Sequence, residues 1–184
     1  MQRDRDSVLV ENCLSGDRKA FELLVQKYEK KLYNVAYRII SDPEDAMDAT
    51  QSTFVKAFEK LNTFDPKYRF FSWVYRILLN ESLTMVHRKK RFEPWESDIV
   101  DRRSAPSPSP SDTFDETEID QQIQKAMRVL KPDYRVVIVL KHFHGMSYRE
   151  MAEITGVPEK TVKSRLFTAR QQLKDILEEQ GIVR

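Results

Sequence analysis

The chain has 184 residues, of which 40% are hydrophobic and 33% charged, with a formal net charge of +2. That balance fits one or two small water-facing domains, and no apolar run is long enough to span a bilayer. Cys13 is the only cysteine, which excludes an intramolecular disulfide and a cysteine-based zinc site. The absence of a basic start followed by an apolar stretch argues against a signal peptide and for a cytoplasmic home.

The periodicity is helical nearly throughout, and the expected fold class is all-α, as two small helical domains joined by a linker. A short opening helix is expected over about Arg5 to Leu14. From Asp17 to Ile40, Phe21, Leu24, Tyr28, Leu32, Val35, Ala36 and Ile39 share one face. Asp42-Pro43 stops that helix and starts the next, aspartate as N-cap and proline at the first position. Between Glu44 and Leu61 the apolar face is Ala46, Thr50, Thr53, Phe54, Ala57, Phe58 and Leu61. A loop follows, and a further helix from about Phe70 to His87 turns Phe71, Val74, Leu78 and Met85 inward. The first domain is thus assigned to residues 1–91.

Residues 92–118 break the pattern. They hold eight acids and only Arg102 and Arg103, a net of −6 that leaves +8 for the rest. SAPSPSPSD cannot bury a core and reads as flexible linker. The second domain, 119–184, opens on a helix with Ile123, Ala126, Met127 and Leu130 inward. Pro132 starts the next helix, with Val136, Val137, Leu140 and Phe143 inward and Gly145 as its stop. Ser147 with Glu150 three residues on is a capping box. Gly156 suits the left-handed end of that helix, and Pro158 the first position of the next. In the last helix Val162, Leu166, Ala169, Leu173 and Ile176 form the apolar face. Lys160, Lys163, Ser164 and Phe167 form another, with Arg170 at its flank. This is a helix-turn-helix whose second helix enters a major groove.

Two further clusters carry chemistry. Tyr68 to Arg76, with Asn80 and the run His87-Arg88-Lys89-Lys90-Arg91, interleaves aromatics with cations. Rings stack on unpaired bases while cations follow phosphates, so the cluster suits single-stranded nucleic acid. Trp73 and Arg76 cannot share the face of Phe71, Val74 and Leu78, so part of the cluster lies outside the core. Asp42, Glu44, Asp45 and Asp48, followed by Gln51, form an acidic patch. Helix-dipole stabilisation accounts for the first three, whereas Asp48 and Gln51 lie a turn apart on a polar face open to a protein partner. No catalytic constellation, phosphate loop or metal-spaced set is found. His142 and His144 diverge, and no cofactor or metal is expected.

With these motifs in order, the chain resembles bacterial sigma factors of the extracytoplasmic-function (ECF) group. DATQSTFVKAFEKLNTF (Asp48 to Phe64) is similar to the segment that grips the clamp helices of the largest RNA polymerase subunit. FFSWVYRILLNE (Phe70 to Glu81) resembles the segment that melts the −10 promoter element. GMSYREMAEITGVPEKTVKSRLFTAR (Gly145 to Arg170) resembles the helix-turn-helix that reads the −35 element. The resemblance implies that Asp45, Asp48, Gln51 and Phe54 bind core polymerase, with its flap region as a second contact. It implies that Arg69, Trp73, Tyr75, Arg76, Asn80, His87, Arg88 and Lys89 hold the opened −10 strand. It places Lys160, Thr161, Lys163, Ser164, Arg165, Phe167 and Arg170 at the −35 groove. An anti-sigma partner and control by stress are implied in the same way, and no enzymatic activity. Ser52 departs from the family, which carries glutamate after the glutamine; this lowers the charge at the polymerase contact.

The linker sets a geometric condition. A flexible chain of 27 residues spans about 30 Å relaxed and about 90 Å extended. The −10 and −35 elements lie about 85 Å apart, and two domain radii of about 13 Å each leave about 60 Å to bridge. Polymerase must therefore hold the domains apart. Free of it, they are expected to collapse together and cover their basic faces. Two alternatives stay open on these residues: a dimeric regulator with a C-terminal helix-turn-helix, and an adaptor whose first domain binds only protein.

Overall fold

The computed structural model describes residues 5–92 and 118–182. Among these, every regular element is helical: α1 Arg5–Leu14, α2 Arg18–Ile40, α3 Pro43–Glu59 and α4 Phe70–Phe92, then α5 Glu118–Val129, α6 Pro132–Ile138, α7 Tyr148–Thr155 and α8 Glu159–Glu179. A 3₁₀ turn, Leu61–Thr63, follows α3, and α6 continues into a π-helical turn, Val139–Phe143. The linker expected at 92–118 lies almost wholly outside the described residues.

Local chemistry sets the ends. The Asp17 carboxylate accepts from the Lys19 amide at 2.9 Å, and that of Asp42 accepts from the amides of Glu44 and Asp45, each at 3.0 Å. These satisfy orphan donors of α2 and α3. The capping box of α7 is complete: the Glu150 amide donates to Ser147 Oγ at 3.2 Å and the Ser147 amide to Glu150 Oε2 at 2.9 Å. Gly156 ends α7 at φ 72°, a conformation that carries a steric penalty for any residue with a Cβ. Pro158 stands one place earlier than expected, as the N-cap of α8. Helix α4 runs past His87 to Phe92, and α3 yields to the 3₁₀ turn before Leu61.

The expected faces are buried with few exceptions. Leu24, Leu32, Val35, Ala36 and Ile39 of α2 are sealed, as are Val74 and Leu78 of α4 and Val162, Leu166 and Ala169 of α8. Phe58 is the clear departure: it is 50% exposed, its ring edge-on to Phe21 at 5.0 Å. The apolar core is one continuous cluster that runs from Val10 to Ala169 through both sets of helices.

The two sets meet where α4 packs on α7 and at the C-terminal end of α2. Its last carbonyls have no intrahelical donors, and residues of the second set supply them. Gln124 Nε2 donates to Ser41 Oγ at 2.8 Å and to Arg38 O at 3.2 Å. Arg128 donates to Ser41 O at 3.0 Å. Arg135, buried, donates to Ile39 O and ties back to Arg128 O at 2.8 Å. Two guanidiniums at a helix C-terminus also meet the negative end of its dipole. Burial lowers the Arg135 pKa to about 10, so it remains charged at neutral pH. The Arg38 guanidinium lies 3.8 Å from the centre of the Phe143 ring, a further bond across the seam.

Candidate nucleic-acid interface

Helix α4 is apolar over most of its circumference because it is packed on two sides. Against α2 and α3 it buries Phe70, Val74 and Leu78; against α7 and the turn before it, it places Ser72, Tyr75 and Arg76. Tyr75 is 1% exposed, its ring 4.4 Å from Phe71 and 6.4 Å from His144. Burial raises the Tyr75 phenol pKa, so it stays protonated. Trp73 is half-buried, edge-on to Phe64 at 5.5 Å and tilted against Phe70 at 5.7 Å. That leaves one flank of the indole free in a fixed orientation.

Acidic and small groups of α7 meet the polar row of α4. Arg69 pairs with Glu150 Oε1 at 3.0 Å, and Ser72 Oγ donates to Glu153 Oε2 at 3.1 Å. The Arg76 guanidinium lies against Gly156. The amide and hydroxyl of Ser147, then Arg69, hold the Glu150 carboxyl below the usual range despite some burial. His144 is held below its ordinary value by burial first and then by Arg38 and Lys31. Asn80 shares a small cleft with Arg165, so residues assigned to different promoter elements lie side by side.

Farther along α4, His87 and Arg88 are exposed, whereas Lys89 is committed. It bonds Asp42 at 3.1 Å and pairs with Asp45, which fastens the end of α4 to the start of α3. Burial alone would lower the Lys89 pKa, but the carboxylates of Asp45 and Asp42 outweigh it and raise it. Asp48 and Gln51 lie open on α3, Ser52 is half-buried, and Phe54 is buried in the core.

The outer face of α8 is free. Lys160, Lys163, Ser164 and Arg170 are exposed, and Phe167 is 74% exposed among them. Thr161 is half-buried and its carbonyl accepts from Ser164 Oγ at 3.0 Å. Lys163 Nζ lies 5.3 Å from the Tyr148 ring centre, and Arg170 Nε donates to His142 Nε2 at 3.0 Å. Arg165, half-buried, pairs with Asp133 at 3.2 Å. The two sets of helices thus meet along the row on α4, engaging Arg69, Ser72 and Arg76 while Arg69, Arg76 and Asn80 stay exposed, and the face of α8 lies in solvent.

Sequence reasoning gave no role between the two sets of helices to Ser72 or His144, which it named for other reasons, and did not single out Gln124, Arg135 or Glu153; Ser72 came closest. A usable signal existed for Ser72: the segment FFSWVYRILL is apolar on more than one face, which marks a helix packed on two sides. Among the described residues, no group of histidine, cysteine and acidic side chains is placed to hold a metal, and no helix is long and apolar enough to cross a membrane.

One chain thus carries an aromatic row with cations on α4 and an exposed cationic face on α8. The family model for sigma-70 region 2 matches residues 24–92, and that for sigma-70 region 4 matches residues 120–173. The RNA polymerase sigma-H factor of Pseudomonas aeruginosa is 31% identical over 97% of this chain and 96% of its own. The ECF RNA polymerase sigma-E factor of Escherichia coli K12 is 32% identical over 91% of this chain and 92% of its own. A solved structure of the sigma factor RpoE with the anti-sigma factor NepR, from Bartonella quintana, superposes with a TM-score of 0.68 at 30% identity. It covers 87% of this chain and 98% of that one. The chain belongs to the ECF group of the sigma-70 family. It is a transcription initiation factor rather than an enzyme: it binds core RNA polymerase and recognises promoter DNA.

Proposed function

We propose that the division of labour follows three segments, with residues 1–91 for polymerase docking and −10 melting, 92–118 as a spacer, and 119–184 for −35 reading. Asp48 and Gln51, open on α3, dock on the clamp helices of the largest subunit, and Asp45 and Phe54 shape that surface from beneath. Arg69, Trp73, Arg76 and Asn80 hold the opened −10 strand, with His87 and Arg88 on its phosphates. Tyr75 supports them from the core, and Lys89 anchors α4 through Asp42 and Asp45. Lys160, Thr161, Lys163, Ser164, Arg165, Phe167 and Arg170 read the −35 groove, Arg165 after leaving Asp133.

The observation that carries this reading is the coexistence of two chemically different nucleic-acid faces in one chain. Melting replaces base pairing by stacking and base capture, worth about 1–3 kcal/mol per base. The relative solved with an anti-sigma factor supports control of this chain by a protein of that class, acting in the cytoplasm where polymerase meets DNA. Run-off transcription with purified core enzyme and a genomic template library tests the reading. Specific new transcripts are expected; none would refute it.

A further inference from the structure

Three contacts on α4 share one origin. Arg69 is bonded to Glu150, Ser72 to Glu153, and Arg76 is seated on Gly156. All three partners belong to the first helix of the helix-turn-helix and its terminating glycine. A carboxylate on a guanidinium and on a hydroxyl makes the contact that a phosphate oxygen makes with the same donors. The glycine lets the α7 backbone approach the second cationic group, Arg76, closely, as no residue with a Cβ does without displacing it.

We propose that α7 is a built-in competitor of the promoter strand, with Glu150 and Glu153 occupying the anion positions of the α4 row until the chain is opened. The proposal rests on the reading of α4 as the strand-binding face. It gives Glu150 two tasks, since the same carboxylate completes the capping box and holds Arg69. It also makes the competitor selective. The face of α8 stays exposed, so duplex reading is not blocked while strand capture is. Opening then depends on a partner that draws the second domain away, and a −35 element about 85 Å from the −10 element does so once both are held on polymerase.

The test uses the full chain and a fluorescein-labelled single strand of mixed sequence, about 12 nucleotides long, read by anisotropy at fixed salt. Glu153→Lys removes one competing carboxylate and leaves the capping box intact. Glu59→Lys, exposed at the end of α3, makes the same change in net charge and serves as control. Binding about fivefold tighter than wild type is expected for Glu153→Lys, because apparent affinity scales with the open fraction. Glu59→Lys should shift far less. Glu153→Gln gives a smaller gain in the same direction and keeps the comparison should the lysine variant fold poorly. Equal shifts for the Glu153 and Glu59 variants would overturn the competition and leave the reading of α4 standing. Absence of strand binding in every variant, with an enlarged radius of gyration for Glu153→Lys by small-angle scattering, would overturn both.

Discussion

The guanidinium of Arg76 rests against Gly156, so close that a Cβ at Gly156 would come within 2.9 Å of Nη2. One residue comes from the strand-type face and the other from the turn of the helix-turn-helix. Gly156→Ala is expected to lower stability by about 1–2 kcal/mol through left-handed strain, and to loosen the seam by displacing Arg76. In an Arg76→Ala background the strain should persist and the seam effect vanish. A double-mutant cycle from urea midpoints separates the two.

Arg135 is the buried link between the two sets of helices. Replacing it by alanine strands the carbonyls of Ile39, Arg128 and Leu130, which it now serves. A loss of about 3 kcal/mol is expected, since each unsatisfied buried acceptor costs about 1–3 kcal/mol. Lysine should rescue poorly because one ammonium cannot match the guanidinium fork. Chemical denaturation of the three proteins checks both statements.

Acid should open the seam in two stages. His144 has a folded pKa below its ordinary 6.5, with Arg38, Lys31 and Tyr75 around it. Its neutral form is favoured by folding, so its contribution is full above pH 6.5 and is lost as pH falls through the lowered folded value. Glu150 has a folded pKa below 4.5; its contribution is full above pH 4.5 and is lost as pH falls through its own lowered value. Thermal unfolding across pH should show both declines. His144→Gln should flatten the first, which separates it from His142 beside Arg170.

The two nucleic-acid faces should fail separately. Trp73→Ala is expected to reduce open-complex formation about tenfold, from a stacking loss of about 1–3 kcal/mol, with polymerase association spared. Permanganate footprinting reads the first and co-sedimentation the second. Lys163→Ala should leave core binding and melting intact and reduce the salt slope of −35 duplex binding by about 1.

Helix ends were legible because capping is local. Asp17, Asp42, Ser147 with Glu150, and Gly156 each act within a few residues of their own chain. The apolar faces were legible because one side of each helix meets one core. The seam was not. Gln124 and Arg135 look like solvated polar residues until the end of α2 arrives, 83 residues or more away in sequence. Tyr75 falls one position past Val74, off the predicted face, and is buried against Phe71 and against His144 in the turn before α7. The expectation that collapse hides both basic faces was not met: the α4 cations Arg69 and Arg76 are engaged by α7 yet exposed, and the α8 cations turn outward, which net charge does not reveal. Phe58 fitted the pattern of α3 yet sits half in solvent, because the helix gives way to a 3₁₀ turn just beyond it.

The central claim is that a chain closed over its own strand-binding row is spread along the promoter by polymerase. Energy transfer between labels at the exposed positions Gln26 and Glu179, in a Cys13→Ser background, measures this directly. Efficient transfer is expected in the free chain, collapsing when core enzyme and promoter are added. Transfer that is already low in the free chain, or that stays high in the initiation complex, would contradict the account.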